Sequence, residues 1–191
     1  MLKNLGLLAF AALLCAVIAP SASANAIYTY TGQPFTVFSG GYACPSVCSI
    51  TGSFTVAQPF AANLPLTGFN PLSFTFNGGA FTITQASAGS FPFPPFFIVS
   101  TDNTGGIQNW LITIIASNPL NVLSTVKDTT FPEDITCVLY QNFCQAPSPY
   151  AYNTFAAGTW TTTVTPEPGS ILLFSTGLLG LAGAVRRKLI G

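Results

Sequence analysis

Ile50-Thr51-Gly52-Ser53-Phe54-Thr55-Val56 places apolar side chains at 50, 54 and 56, which share one face of an extended chain. Leu72, Phe74 and Phe76 alternate with Ser73 and Thr75, and Phe81 and Ile83 alternate with Thr82 and Thr84. A period of two is the signature of a β-strand with one face buried and the other wet. Thr and Phe suit strands, while the frequent Gly, Pro and Ser supply turns. Further strand candidates are Tyr28 to Tyr30, Phe35 to Phe38, Phe96 to Thr101, Asn109 to Ile115, Ile135 to Tyr140 and Thr159 to Thr165. Trp110 to Ile115 is apolar on both faces, so it belongs in the middle of the fold. Short strands with a turn signal after each imply an all-β fold, an antiparallel sandwich of which the jelly roll is one form.

One hairpin register can be argued directly. Asn77-Gly78 lies between two alternating runs, and this pair suits a two-residue turn because both residues tolerate positive φ. Such a turn sets Phe76 opposite Gly79, Phe74 opposite Phe81 and Leu72 opposite Ile83. The apolar sets then coincide on one face, whereas a three-residue loop would mix the faces.

The N-terminus reads MLKNLGLLAFAALLCAVIAPSASANA. Lys3 provides a positive start, Leu5 to Ile18 an apolar core, and Pro20 a break. Ala22-Ser23-Ala24 and Ala24-Asn25-Ala26 both satisfy the small-x-small rule, so signal peptidase would cut at Ala24 or Ala26. Residues 1–26 read as a secretory signal peptide and residues 27–165 as the β-sandwich body. Cys15 follows bulky Leu14, unlike a lipoprotein signal, and leaves with the signal peptide.

The body has one basic residue, Lys127, against Asp102, Asp128, Glu133 and Asp134. Nucleic acid and anionic membrane surfaces need clustered Lys and Arg, so neither is expected as a partner. Cys44, Cys48, Cys137 and Cys144 form an even set in an exported chain and read as two disulfides. The spacings suggest two local loops, Cys44 to Cys48 and Cys137 to Cys144, with a cross-link between the regions as the alternative. The chain has no histidine, so zinc would need all four cysteines, and neither spacing is the two-residue knuckle.

The chain ends TPEPGSILLFSTGLLGLAGAVRRKLIG. Ile171 to Val185 is uncharged. As a helix it covers roughly 22 Å, short of the ~30 Å hydrocarbon core, so it is a marginal span. Arg186, Arg187 and Lys188 follow at once and hold the extreme C-terminus in the cytoplasm. Pro166-Glu167-Pro168 precedes the span on the outer side. Its two prolines remove two amide donors and keep the chain stiff and extended, as suits a protease site. Thr159 to Thr165 runs into Pro166 with no flexible linker, which places the body close to the membrane before processing.

In this whole arrangement residues 166–191 resemble the PEP-CTERM sorting signal of Gram-negative bacteria. Thr165 stands where that family usually has a small apolar residue. The resemblance implies recognition by exosortase, an inner-membrane cysteine protease and transpeptidase. It implies a transient stay in the inner membrane, processing near the triplet, and delivery to the cell surface or matrix. It also implies association with exopolysaccharide and biofilm systems. The body itself belongs to no family named by this resemblance.

Little in the body points to chemistry. A glycosidase needs two carboxylates facing each other across a cleft, and adjacent Glu133 and Asp134 would point to opposite faces of a strand. Without histidine, no Ser-His-Asp or Cys-His arrangement exists. No catalytic residue, cofactor or metal site is expected, and the chain reads as a non-enzyme. Thr101 to Gly106 could offer oxygens to Ca²⁺, but one carboxylate is a poor set and the same string makes a good turn. Phe91-Pro92-Phe93-Pro94-Pro95-Phe96-Phe97 reads as a loop whose rings plug the sandwich, or else as an exposed aromatic platform. Tyr150, Tyr152 and Trp160 are the candidates for a sugar-stacking surface. The expectation is a non-catalytic surface or matrix protein, with a carbohydrate-binding module as the alternative and a glycoside hydrolase as the remote one.

Overall fold

Alternation along the chain becomes two facing antiparallel sheets in a computed structural model. It describes residues 24–44, 48–89, 94–116, 120–127, 133–138, 144 and 148–165, with isolated positions 177, 180 and 187. Ala24–Thr165 is a compact unit by itself. Its strands are β1 (Asn25–Thr31), β2 (Val37–Ser39), β3 (Thr51–Val56), β4 (Thr67–Gly68), β5 (Ser73–Asn77), β6 (Thr82–Thr84), β7 (Phe96–Thr101), β8 (Ile107–Ile115), β9 (Asn121–Lys127), β10 (Glu133–Val138), β11 (Tyr150–Thr154) and β12 (Thr159–Thr165). One sheet has the order β12-β1-β3-β5-β6 and the other β2-β11-β10-β9-β8-β7-β4. In the second, β7 to β11 form an up-and-down meander.

The inner face of the first sheet carries Ala26, Tyr28 and Tyr30 from β1, Phe54 and Val56 from β3, Phe74 and Phe76 from β5, and Ile83 from β6, all buried. Phe54 lies at the centre of a ring cluster. Its centroid is 5.2 Å from Tyr28, 5.1 Å from Phe69, 5.3 Å from Trp160 and 5.9 Å from Phe97. Burying such rings is the main stabilising term here, at about 1.5–3 kcal/mol for a fully buried large apolar side chain. On the opposing sheet the inner face is apolar along β7 and β8 (Phe97, Val99, Trp110, Ile112 and Ile114). It turns polar toward β11, where Thr125, Asp134, Thr136 and Asn153 are all fully buried.

The cysteines pair as two local loops, Cys44 with Cys48 and Cys137 with Cys144, each with Cα atoms 5.6 Å apart. Cys137 points to the outer face of the seven-stranded sheet. There Ile115, Val122 and Cys137 form a small apolar cluster with Cys144 and Tyr150. Both faces of β9 are therefore covered, so its sequence lacks clean alternation and does not read as a strand. β4 and β11 likewise do not stand out in the sequence. Of Phe35 to Phe38, only the end joins the short β2, while Phe35 is buried from a loop.

The hairpin differs from the two-residue turn at Asn77-Gly78. Phe76 faces Ile83 and Asn77 faces Thr82, with residues 78–81 as the loop. The shift is an even number of residues, so Phe74, Phe76 and Ile83 stay on the core face. The longer loop follows from tertiary contacts. Gly79, at φ +92°, lies so close to the cystine that an added Cβ would meet Cys48 Sγ at 2.8 Å. Tyr42 Oη donates to Gly78 O at 2.6 Å, and Asn77 Oδ1 accepts from Gly79 N at 2.7 Å. Leu72, expected on the core face, precedes the first ladder residue and is 55% exposed.

Candidate functional site

β12 is the last strand of the body and the edge of its sheet. It pairs with β1 along its whole length, from Asn25 opposite Thr165 to Thr31 opposite Thr159. Among the described residues no strand pairs with its outer side. From Thr161 onward every residue of the strand is exposed. The strand ends at Thr165, directly before Pro166. Of the tail, Gly177, Gly180 and Arg187 are described, and all three are α-helical. Pro166, Glu167, Pro168, Arg186 and Lys188 lie outside the described residues, as does most of the apolar run. Among the described residues, no helix is long and apolar enough to cross a membrane.

Residues 164–188 match the family model described as the PEP-CTERM protein-sorting motif. The chain carries a PEP-CTERM sorting signal. No curated protein and no solved structure matches the chain. The PEP-CTERM motif marks an exosortase-targeted extracellular protein, exported through the membrane with C-terminal anchoring and processing. Its first two matched residues, Val164 and Thr165, are the last two of β12, so folded body and sorting motif overlap by two residues.

The outer face of the five-stranded sheet is not legible as a unit in the sequence. Register aligns Thr159, Thr31, Thr51, Asn77 and Thr82 in one row across the strands. Thr161, Thr29, Ser53, Thr75 and Thr84 form the next row, and Thr163, Ile27, Thr55 and Ser73 the third. No position in these rows is charged, and the non-hydroxyl members are Asn77 and Ile27. Each hydroxyl can both donate and accept a hydrogen bond. The signal for this face was the recurrent Thr-x-Thr spacing, at 29–31, 82–84 and from 159 to 165.

Glu133 and Asp134 do point to opposite faces of β10, with Glu133 outward and Asp134 fully buried. Tyr30 Oη donates to Asp134 Oδ1 at 2.7 Å and accepts from Gly158 N at 3.0 Å. Asn153 Oδ1 accepts from Asp134 N at 3.2 Å, and Trp110 Nε1 donates to Thr125 Oγ1 at 2.9 Å. Among the described residues Asp134 Oδ2 has no hydrogen-bond partner. Burial pushes the Asp134 carboxyl up to about 6. The side chains of Thr125, Tyr30 and Asn153 pull it down, and the charge of Glu133 adds a little upward. Burial and the neighbouring Asp134 carboxylate also hold the Tyr30 phenol far above its usual range. A carboxyl sealed between sheets can tie strands together but cannot meet a substrate.

The remaining candidates separate. Asp102 Oδ1 accepts from Thr104 N at 2.8 Å, Thr104 Oγ1 at 2.7 Å and Gly106 N at 3.0 Å, which closes the turn before β8. The Thr104 hydroxyl is the main reason that its carboxyl is held below the usual range. Among the described residues no cluster of His, Cys, Asp and Glu is grouped to hold a metal. Asp128 and Phe91 to Phe93 lie outside the described residues. Phe96 is half-exposed on the outer face of β7, and Phe97 is buried in the core. Tyr150 and Tyr152 stack at 6.0 Å on the outer face of β11. Trp160, partly buried, points instead to the inner face and packs against the core, 4.9 Å from Tyr30 and 5.9 Å from Trp110, so the three rings make no common surface. An open cleft of about 350 Å³ is bordered by Asn70, Gln85, Phe74 and Phe97.

Proposed function

We propose that the body is a non-catalytic component of the extracellular matrix that associates with exopolysaccharide at the cell surface. The uncharged hydroxyl face of the five-stranded sheet carries this reading. A single exposed hydrogen bond contributes only about 0.5–1.5 kcal/mol net, so a repeated array suits a long polyol chain better than a small ligand. The absence of charge on that face suits a neutral polymer.

Cleavage of the signal peptide after Ala24 belongs to the same reading. β1 begins at Asn25, and Ala26 is fully buried between Val56 and Val164. A cut after Ala26 would remove the first two residues of that strand.

A compact carbohydrate-binding module is the second reading, favoured by the cleft with amides from Asn70 and Gln85 beside Phe74 and Phe97. Both rings are almost wholly buried, which leaves little flat face for a sugar to stack on.

Pull-down with the producing strain's exopolysaccharide separates the two. On the matrix reading, combined Thr29→Ala, Thr75→Ala and Thr161→Ala weakens retention about tenfold, the loss of about 1.4 kcal/mol. Loss on Asn70→Ala or Gln85→Ala instead favours the cleft. No retention by the unaltered protein removes the polysaccharide reading. Hydrolysis of the polymer that disappears in Asp102→Asn or Glu133→Gln would overturn the non-catalytic one.

A further inference from the structure

Exposed sheet edges invite pairing, and folded proteins blunt them with short strands, charges, prolines or bulges. The other three edges here are short: β6 and β2 have three residues each and β4 has two. β12 has seven, TWTTTVT, with no charge and no proline. Its pairing with β1 is continuous and without a bulge. An edge strand turns the amides and carbonyls of alternate residues away from its neighbour, so β12 presents a ready ladder.

We propose that β12 is a self-association site, and that its occupant is the β12 strand of a second copy of this chain, paired antiparallel about Thr162. The strand is nearly its own complement in that register. Thr159 faces Thr165 of the second copy, Trp160 faces Val164, Thr161 faces Thr163, and Thr162 faces Thr162. The outward pairs are Thr with Thr, a favourable cross-strand combination, and no pair sets like charges together. The inward pair lays the partly exposed Trp160 against Val164, which is 47% exposed in the single chain. Pro166 and Pro168, which follow β12 in the chain, have no amide donors and so cannot themselves give ladder hydrogen bonds.

Joining two copies this way turns two five-stranded sheets into one sheet of ten. The row of Thr161 then continues into the row of Thr163 in the second copy, interrupted there at Ile27. The inference rests on the edge and its register and stands apart from any polysaccharide binding.

The test is sedimentation velocity on the full chain in mild detergent and on the processed protein released by the cell. The expected species is a dimer. Thr161→Lys with Thr163→Lys places lysine opposite lysine twice in the paired form and touches only exposed positions in the single chain. It should weaken dimerisation about tenfold or more. Thr161→Glu with Thr163→Glu should do the same, and mixing the two variants should restore a dimer. Oxidised Thr162→Cys should cross-link as a dimer in the otherwise unchanged chain, because that position faces itself. This keeps the test open should the charged variants fold poorly. A monomeric unaltered protein overturns the proposal. So does a dimer indifferent to the lysine pair, or a Thr162→Cys chain that does not cross-link.

Discussion

Tyr30 Oη and Asp134 Oδ1 lie 2.7 Å apart although 104 residues separate them in the chain. The bond crosses the sandwich from β1 to β10 and links the two sheets within the core. Burial of the Asp134 carboxyl, which this bond only partly offsets, gives a domain this poor in charge a sharply pH-sensitive element. The Asp134 carboxyl is raised to about 6 in the folded protein, chiefly by burial, against an ordinary 3.8. When the folded value is the higher one, the native state holds the proton more tightly than the unfolded chain.

Stability should therefore be greatest below about pH 4 and fall as pH rises through about 6, as far as this group decides it. The full difference is roughly 3 kcal/mol, by the conversion of about 1.4 kcal/mol per pKa unit. Asp134→Asn should flatten this part of the profile. Urea denaturation between pH 4 and 7.5 measures it. A stability that rises across this window in the unaltered protein and is unchanged in the variant would show that Asp134 is not its source.

Gly32→Ala should be among the most damaging single changes. An added Cβ would lie against Asp134 Oδ2 and 2.6 Å from Ile50 O. Gly32 N also donates to that same carbonyl at 2.8 Å, so the backbone there has little room to retreat. The expected cost is about 1–3 kcal/mol, the range for overpacked interiors. Gly41→Ala meets no atom within 4 Å but sits at φ +74°, so its cost should come from backbone strain alone. Thermal melts of the two variants side by side separate crowding from strain, since in Gly32→Ala part of the penalty should ease when the side chain it meets is shortened by Asp134→Ala.

Processing of the tail has a direct readout. Mass spectrometry of the protein released from cells should find Asn25 at the N-terminus and no peptide containing Arg186, Arg187 and Lys188. Replacing Pro166, Glu167 and Pro168 together by alanine should leave the basic stub attached and the protein in the membrane fraction. Released protein that retains Arg186-Arg187-Lys188 would refute removal of the tail.

Strands with one wet face were legible at once. Phe54, Phe74, Phe76 and Ile83 were placed on the core face by alternation alone, and the outer hydroxyls fell opposite them. β9 is not legible, because Cys137, Cys144 and Tyr150 pack against Val122 on its outer side and erase the period of two. The 77–82 turn departs from the sequence expectation for a related reason. Local chemistry favours a tight Asn-Gly turn, but contact with the Cys44–Cys48 cystine and Tyr42 makes a longer loop the better one.

The sequence by itself determined the fold class and the sorting tail. Alternation and a short motif with its flanking apolar run and charge cluster are each linear patterns that need no partner to be read. Only the tertiary structure decided which cysteines pair, that Asp134 is buried against Tyr30, that Trp160 packs against the core, and that separate Thr-x-Thr runs align into one face ending at an edge strand. Each of these depends on strands far apart in the chain meeting in one register, and a register is set by how two faces pack, which no single stretch of residues contains.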